Sequence, residues 1–322
     1  MIYDDKLIGN CNQGFTKDKK MNRYPCIIEL SAERIAFRTG SGTDDIVSKE
    51  IIPPAVKPIV KWAGGKQWLA PAAPHLIPDK FTGRYFEPFL GGGAIFFAVE
   101  PARATLSDRN EALIAAYRTI RYDTEGVIGL LSSYPHDEKF YYRLRARSPK
   151  SERSAAARLL YLNRTCWNGL YRVNRKGEFN TPFGQFKNPT ICDSDRLRKA
   201  AHLLRRARLR VGDFEAIVSE AESGDLVYFD PPYITGHQHN GFLKYNAPLF
   251  SWGDQQRLAR LAVDLANAGV YVLVSNAGQP SVVGLYKGFN YYRVRRRSLI
   301  GSTLSSRGEV VEALLSSYPL VG

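Results

Sequence analysis

From Pro58 onward the chain alternates two kinds of hydrophobic pattern. Short apolar runs at 84–89, 104–106, 208–211, 226–229 and 270–274 stand next to glycine, proline or aspartate, as strands buried in a sheet do. Helical periodicity follows several of them, over 111–120 and over 254–268, where Leu258, Leu261, Val263 and Leu265 mark an inward face. Strands alternating with helices predict an α/β fold with a largely parallel sheet covered on both faces. Runs at 291–294 and 310–315 complete the sheet, and their close spacing predicts an antiparallel edge hairpin.

The alternation stops between the second and third strands. Residues 140–146, 152–162 and 194–207 are helical in pattern, while 170–173 and 177–179 flank Asn174-Arg175-Lys176. Gly177 can take positive φ there, so a β-hairpin is expected. Residues 122–206 therefore read as a domain inserted into one built from 58–121 and 207–322. Residues 1–52 are mixed in charge, weakly periodic, and followed by Pro53-Pro54. They are expected to be a loosely ordered part of an N-terminal extension, 1–57, with no assigned role.

Charge changes this picture. The 322 residues carry 45 Lys+Arg against 31 Asp+Glu, a net of +14. The window 139–210 alone holds 19 basic and four acidic residues, so this window accounts for the whole excess. Tyr141, Tyr142, Trp167, Tyr171, Phe179 and Phe186 are interleaved with those cations. Cations among flat rings suit phosphates and stacked bases, which favours nucleic acid as partner. A membrane surface is disfavoured, because no amphipathic helix gathers an apolar face. No apolar run is long enough to span a bilayer, mean hydropathy is −0.28, and the N-terminus has no secretion pattern. Cys11, Cys26, Cys166 and Cys192 form no C-x-x-C pair, which argues for reduced thiols, a cytoplasmic setting and no zinc.

Four motifs carry chemistry. Phe86-Glu87-Pro88-Phe89-Leu90-Gly91-Gly92-Gly93 runs a strand into a glycine turn that lets a ligand approach the backbone. A dinucleotide fingerprint would need glycine where Phe96 stands, so an oxidoreductase is disfavoured. Asp108 ends the next strand, where a carboxylate can accept from a ribose diol; alternatively it caps the helix beginning near Glu111. Asp213, after the third strand, suits an adenine amino group, with Phe214 as a stacking face. The sharpest motif is Asp230-Pro231-Pro232-Tyr233, directly after Leu226-Val227-Tyr228-Phe229. The prolines lack N–H donors and fix φ, so the Asp230 carboxylate and the Pro231 carbonyl form an acceptor pair for a planar NH₂ group, with Tyr233 stacking on its ring. His237 and His239 follow, and are expected to be loop residues, having no nearby third metal ligand.

Together with Lys61-Trp62-Ala63-Gly64-Gly65-Lys66, these motifs resemble the Dam-type S-adenosylmethionine-dependent DNA adenine N6-methyltransferases. The segment 163–180, from Asn163-Arg164-Thr165-Cys166-Trp167 through Phe179-Asn180, resembles the target-recognition hairpin of GATC-specific members, and the likeness extends over about 58–318. The resemblance implies a Rossmann-like class I methyltransferase sheet with an inserted, mostly helical target-recognition domain. It implies a methyl transfer from S-adenosylmethionine to a flipped adenine in duplex DNA, with Asp230, Pro231 and Tyr233 catalytic. Trp62, Lys66, Phe89, Gly91, Gly93, Asp108, Asp213, Phe214 and Asp230 are the implied cofactor contacts. Lys61, Trp167, Asn168, Arg172 and Asn174 are the implied DNA contacts, with Trp167 inserting into the duplex and Arg172 reading a base. Lys66 does not mark a phosphate loop, since Gln67 replaces Ser/Thr and the glycine spacing is absent. No metal is implied; a cognate restriction endonuclease is a candidate partner, and a bacterial or phage cytoplasm the implied location. The alternatives are an amino-methyltransferase acting on cytosine N4 or a glutamine amide, and a DNA-binding protein with a degenerate fold.

Overall fold

The computed structural model describes residues 26–31, 33–38, 46–79, 81–174, 176–233, 250–297 and 309–320. Three short strands come first: Cys26–Leu30 (β1), Arg34–Arg38 (β2) and Ile46–Glu50 (β3), paired as an antiparallel meander. Ile28, Ile35 and Phe37 are buried in the main core, and β1 lies parallel to a strand more than 260 residues later. β1, β2 and β3 are therefore an extension of the sheet, which corrects the expectation of a loosely ordered appendage for those residues. His237 and His239 lie outside the described residues.

The apolar runs become Tyr85–Glu87 (β4), Ala104–Asp108 (β5), Ala207–Val211 (β6), Leu226–Phe229 (β7), Tyr271–Ala277 (β8), Asn290–Arg297 (β9) and Glu309–Ser316 (β10). The order across the sheet is β3-β2-β1-β9-β10-β8-β7-β4-β5-β6, with β8, β7, β4, β5 and β6 mutually parallel. β10 runs antiparallel to both β8 and β9. The final hairpin is thus internal instead of forming the expected edge. An outer β9 would have left a row of unpaired backbone groups, and β1 pairs with them.

Helices Ala94–Val99 (α1), Glu111–Tyr122 (α2), Thr124–Ser133 (α3), Glu138–Ala146 (α4), Glu152–Thr165 (α5), Ser194–Leu204 (α6), Phe214–Val218 (α7), Trp252–Asn267 (α8) and Pro280–Val283 (α9) connect the strands. Local chemistry starts them: Asn110 caps α2, Asp137 α4 and Asp193 α6, while Ser151 and Ser251 close capping boxes on α5 and α8. β7 shows why its run is continuously apolar. Leu226 and Tyr228 enter the core on one face, Val227 and Phe229 the core on the other. The first core also contains Ala157, Leu160 and Tyr161 of α5 with Tyr117 and Ile120 of α2, so the insertion shares its interior with the sheet. Among the described residues no helix is long and apolar enough to cross a membrane.

From β4 the chain moves outward through β5 to β6, then returns to β7 on the opposite side of β4. That reversal opens a crevice at the carboxyl ends of β4 and β7, where open α/β sheets take ligands.

Candidate active site

β4 delivers the glycine turn to this crevice. Gly91 and Gly93 have φ of 48° and 68°, the left-handed region that glycine enters without steric cost. A Cβ at Gly91 would also stand 2.7 Å from the Trp62 indole. Space and backbone thus demand the same residue. Asp108 ends β5 and accepts from the backbone N–H of Gly91 (2.9 Å) and of Asn110 (2.8 Å). The cap of α2 is Asn110, accepting from the Leu113 N–H, so Asp108 is not the helix cap. Burial pushes the Asp108 carboxyl up, and those backbone donors oppose the shift. Tyr117 donates to the Gly91 carbonyl at 3.0 Å, tying the turn to α2.

The loop from Trp62 to Lys66 bridges the turn and Asp230. Its Gly65 N–H donates to the Trp62 carbonyl, and Lys66, only 3% exposed, donates to the Gly64 carbonyl at 3.0 Å and to Asp230 Oδ1 at 2.7 Å. The same ammonium lies 4.6 Å from the centre of the Tyr233 ring and 3.8 Å from Glu312. Ser275 at the end of β8 also donates to Asp230 Oδ1, at 2.8 Å, and shares a 3.0 Å hydrogen bond with the Tyr228 hydroxyl. Both donors thus act on Oδ1 of a carboxylate that is 17% exposed. Burial raises the Asp230 carboxyl, Lys66 and Ser275 pull it down, and Glu312 adds to the rise. Beneath it, Glu87 accepts from the Tyr85 hydroxyl at 2.7 Å, and burial pushes its carboxyl up to about 8.

Residues 163–174 meet the crevice through α5. Asn163 accepts from the Lys61 N–H at 2.7 Å and donates to the carbonyls of Lys61 (2.8 Å) and Gly169 (3.1 Å). Trp62 stacks on Tyr171, with ring centres 5.0 Å apart. Between these anchors Trp167, 45% exposed, precedes Asn168 at φ 53° and Gly169 at φ 65°. Lys61 packs under Gly169, and its ammonium lies 5.0 Å from the centre of the Phe186 ring. The expected hairpin is present: Val173 bridges Phe179, and Gly177 has φ 77°. Arg172 donates to the Asn180 side chain at 2.8 Å.

Three of the predicted contact residues have partners within the fold. Asn174 accepts with its side-chain oxygen from the N–H groups of Lys176 and Glu178 and donates to the Glu178 carboxylate, so it builds the turn of the hairpin. Asp213 caps α7 and is ion-paired with Arg109 and Arg257, so two guanidiniums take the place expected for an adenine amino group. Phe214 is 1% exposed, against Phe89 and Phe250 with Arg257 over its ring, and presents no open stacking face. Phe89 belongs to that same aromatic cluster, with Phe229 as a further neighbour. Trp62, Lys66, Gly91, Gly93, Asp108, Asp230 and Tyr233 do converge on one crevice.

Sequence reasoning missed Ser275, Glu312 and Asn163. Glu312 had a signal, an acid within the otherwise apolar Val310-Val311-Glu312-Ala313-Leu314-Leu315. Asn163 stood in the resembling segment 163–180 without an assigned role, and Ser275 had no signal, since its partners are distant in the chain.

The sequence matches the model of the D12 class N6 adenine-specific DNA methyltransferase family over residues 62–300. M1.LlaDCHI, a type II methyltransferase of Lactococcus lactis subsp. cremoris, is 39% identical over 273 residues, covering 82% of this chain and 96% of its own. M.MjaIII, a type II methyltransferase of Methanocaldococcus jannaschii, is 34% identical, covering 82% and 99%. The DNA adenine methylase of Serratia marcescens is 32% identical, covering 79% and 96%.

Proposed function

The chain belongs to the D12 class of N6 adenine-specific DNA methyltransferases, and from that premise we propose how its residues act and on which site. An adenine extruded from duplex DNA enters the crevice, stacks on Tyr233, and gives its amino hydrogens to Asp230 and the Pro231 carbonyl. The observation that carries this reading is the Asp230 carboxylate, held on Oδ1 by Lys66 and Ser275 beside the Tyr233 ring. Among the described residues, no donor reaches Oδ2, which suits it to a further donor.

The donor set fits S-adenosylmethionine. Asp108 suits the ribose hydroxyls, the side-chain-free turn at Gly91 and Gly93 with Trp62 against it suits close backbone approach, and the Asp230 carboxylate suits a nearby positive charge. When bound, that cofactor supplies an electrophilic methyl carbon. The protein supplies the geometry. An adenine amino lone pair is delocalised into the ring, and two fixed acceptors favour a more pyramidal nitrogen directed at that carbon. Asp230 acts as acceptor in its ionised form, and Lys66 favours that form against the cost of burial. Extrusion costs a few kcal/mol, which a ring stack of roughly 1–3 kcal/mol and phosphate contacts from the basic insertion offset.

Trp167 inserts where the base leaves, Asn168 beside it, Arg172 reads a base edge, and Lys61 contacts a guanine; the target is GATC. The exposed indole and the hairpin beneath Trp62 support this. The type II names of two relatives support pairing with a restriction endonuclease, in a cytoplasm where DNA is accessible. The test incubates plasmid with protein and S-adenosylmethionine, then digests with GATC nucleases of opposite methylation sensitivity. Protection from one and cleavage by the other is expected. N6-methyladenine in the DNA without either change would overturn GATC while leaving the chemistry.

A further inference from the structure

Glu312 lies inside the sheet, on a strand hydrogen-bonded on both sides, opposite Ala277 of β8 and Val294 of β9. Its side chain is 5% exposed, and an acid buried this far must be compensated. The compensation comes from the crevice. The Tyr233 hydroxyl donates to Glu312 Oε2 at 2.7 Å, and the Lys66 ammonium stands 3.8 Å from the same oxygen. That ammonium is also the donor to Asp230 and faces the Tyr233 ring. One lysine is therefore shared between two carboxylates, and one phenol is tied at its far end.

We propose that Glu312 is a positioning residue for methyl transfer, fixing the Tyr233 ring through its hydroxyl and holding Lys66 against Asp230. This rests on the function proposed above. Pro231 and Pro232 fix the backbone before Tyr233, but its side-chain torsions stay free until the hydroxyl is anchored. Glu312 supplies that anchor from a strand that cannot shift without breaking two ladders. When an adenine amino group takes up part of the Asp230 carboxylate, Glu312 keeps a second negative partner beside the lysine. The ring and the acceptor then hold one mutual arrangement while the base arrives, which is what alignment of a poor nucleophile requires.

The test is single-turnover methylation of a duplex with one target adenine, alongside calorimetric titration with S-adenosylmethionine. Glu312→Ala and Tyr233→Phe are each expected to lower the rate at least tenfold with cofactor affinity unchanged. Glu312→Gln recovers part of it, because its amide oxygen still accepts from the phenol. In the double variant Glu312→Ala/Tyr233→Phe the two losses do not multiply, as expected of groups acting as a unit. A wild-type rate in Tyr233→Phe, or full multiplication in the double variant, would overturn the proposal. If Glu312→Ala does not fold, Glu312→Gln and Tyr233→Phe carry the test, and wild-type rates in both overturn it. Asp230→Asn runs beside them. If it keeps full rate, the base socket itself is wrong; if it alone is inactive, only the role of Glu312 falls.

Discussion

The base socket and the recognition arm solve opposite problems. In the socket, Asp230, Lys66, Ser275 and Glu312 come from four separate segments; hydrogen bonds join Lys66 and Ser275 to Asp230, and an ion pair joins Lys66 to Glu312. In the arm, Trp167 stands exposed, and Asn174, Gly177 and the Val173–Phe179 bridge shape a small hairpin from neighbours in the chain. On the function proposed above, rigid elements hold the chemistry, while a local turn presents the reading surface to a partner. They meet at Asn163, which binds Lys61 on the socket side and Gly169 on the arm side.

The comparison breaks most sharply at Asp230. Replacing it by alanine is expected to slow methylation by roughly 10³-fold, the scale for removing a group that acts in the transition state. Gel-shift affinity for duplex DNA is expected to change little. A comparable loss of DNA binding would mean that socket and arm are not separable.

Glu87 tests how deeply buried the socket is. Its carboxyl titrates near 8 in the fold against 4.5 when unperturbed, so between those values the folded protein retains a proton that the unfolded chain has lost. Stability then falls as pH rises through that window, and levels off above it. Glu87→Gln has no such proton, and is expected to be the more stable of the two at pH 8, by a few kcal/mol at most. Urea unfolding of both proteins at pH 5 and pH 8 measures the difference.

Asn163→Ala attacks the joint. It strands the Lys61 N–H and the Lys61 and Gly169 carbonyls, at a cost of about 3 kcal/mol for groups of this kind. Weaker cofactor binding and weaker DNA binding are expected together, measured by separate titrations. Loss of only one would mean that the joint serves one side.

Arg172→Ala is the mildest. It is expected to cost roughly 1–3 kcal/mol in discrimination at one base pair, leaving the rate on the preferred site nearly intact. Methylation rates on duplexes varied at each position check it, and an unchanged preference would remove Arg172 from base reading.

Much of the sheet was legible because strands buried on both faces leave unbroken apolar runs, as Leu226-Val227-Tyr228-Phe229 does. The meander of β1, β2 and β3 was not. Its strands have five residues each, and the one that anchors them pairs with β9 near the other end of the chain. The expected open face of Phe214 failed because a motif shows adjacency and not burial: Phe89 and Phe250 enclose that ring from elsewhere in the chain. Asn174 went the other way, its oxygen satisfied by the backbone two and four residues on, at a turn where side-chain-to-backbone bonds are favoured.

The sequence by itself determined the alternating sheet, the basic insertion, the glycine turn, Asp230 with its prolines, and the family, because each is written in residues close together along the chain. Tertiary structure alone decided which groups answer Asp230. Lys66 and Ser275 stand 209 positions apart, and a buried charge takes its partners from whatever the fold packs against it.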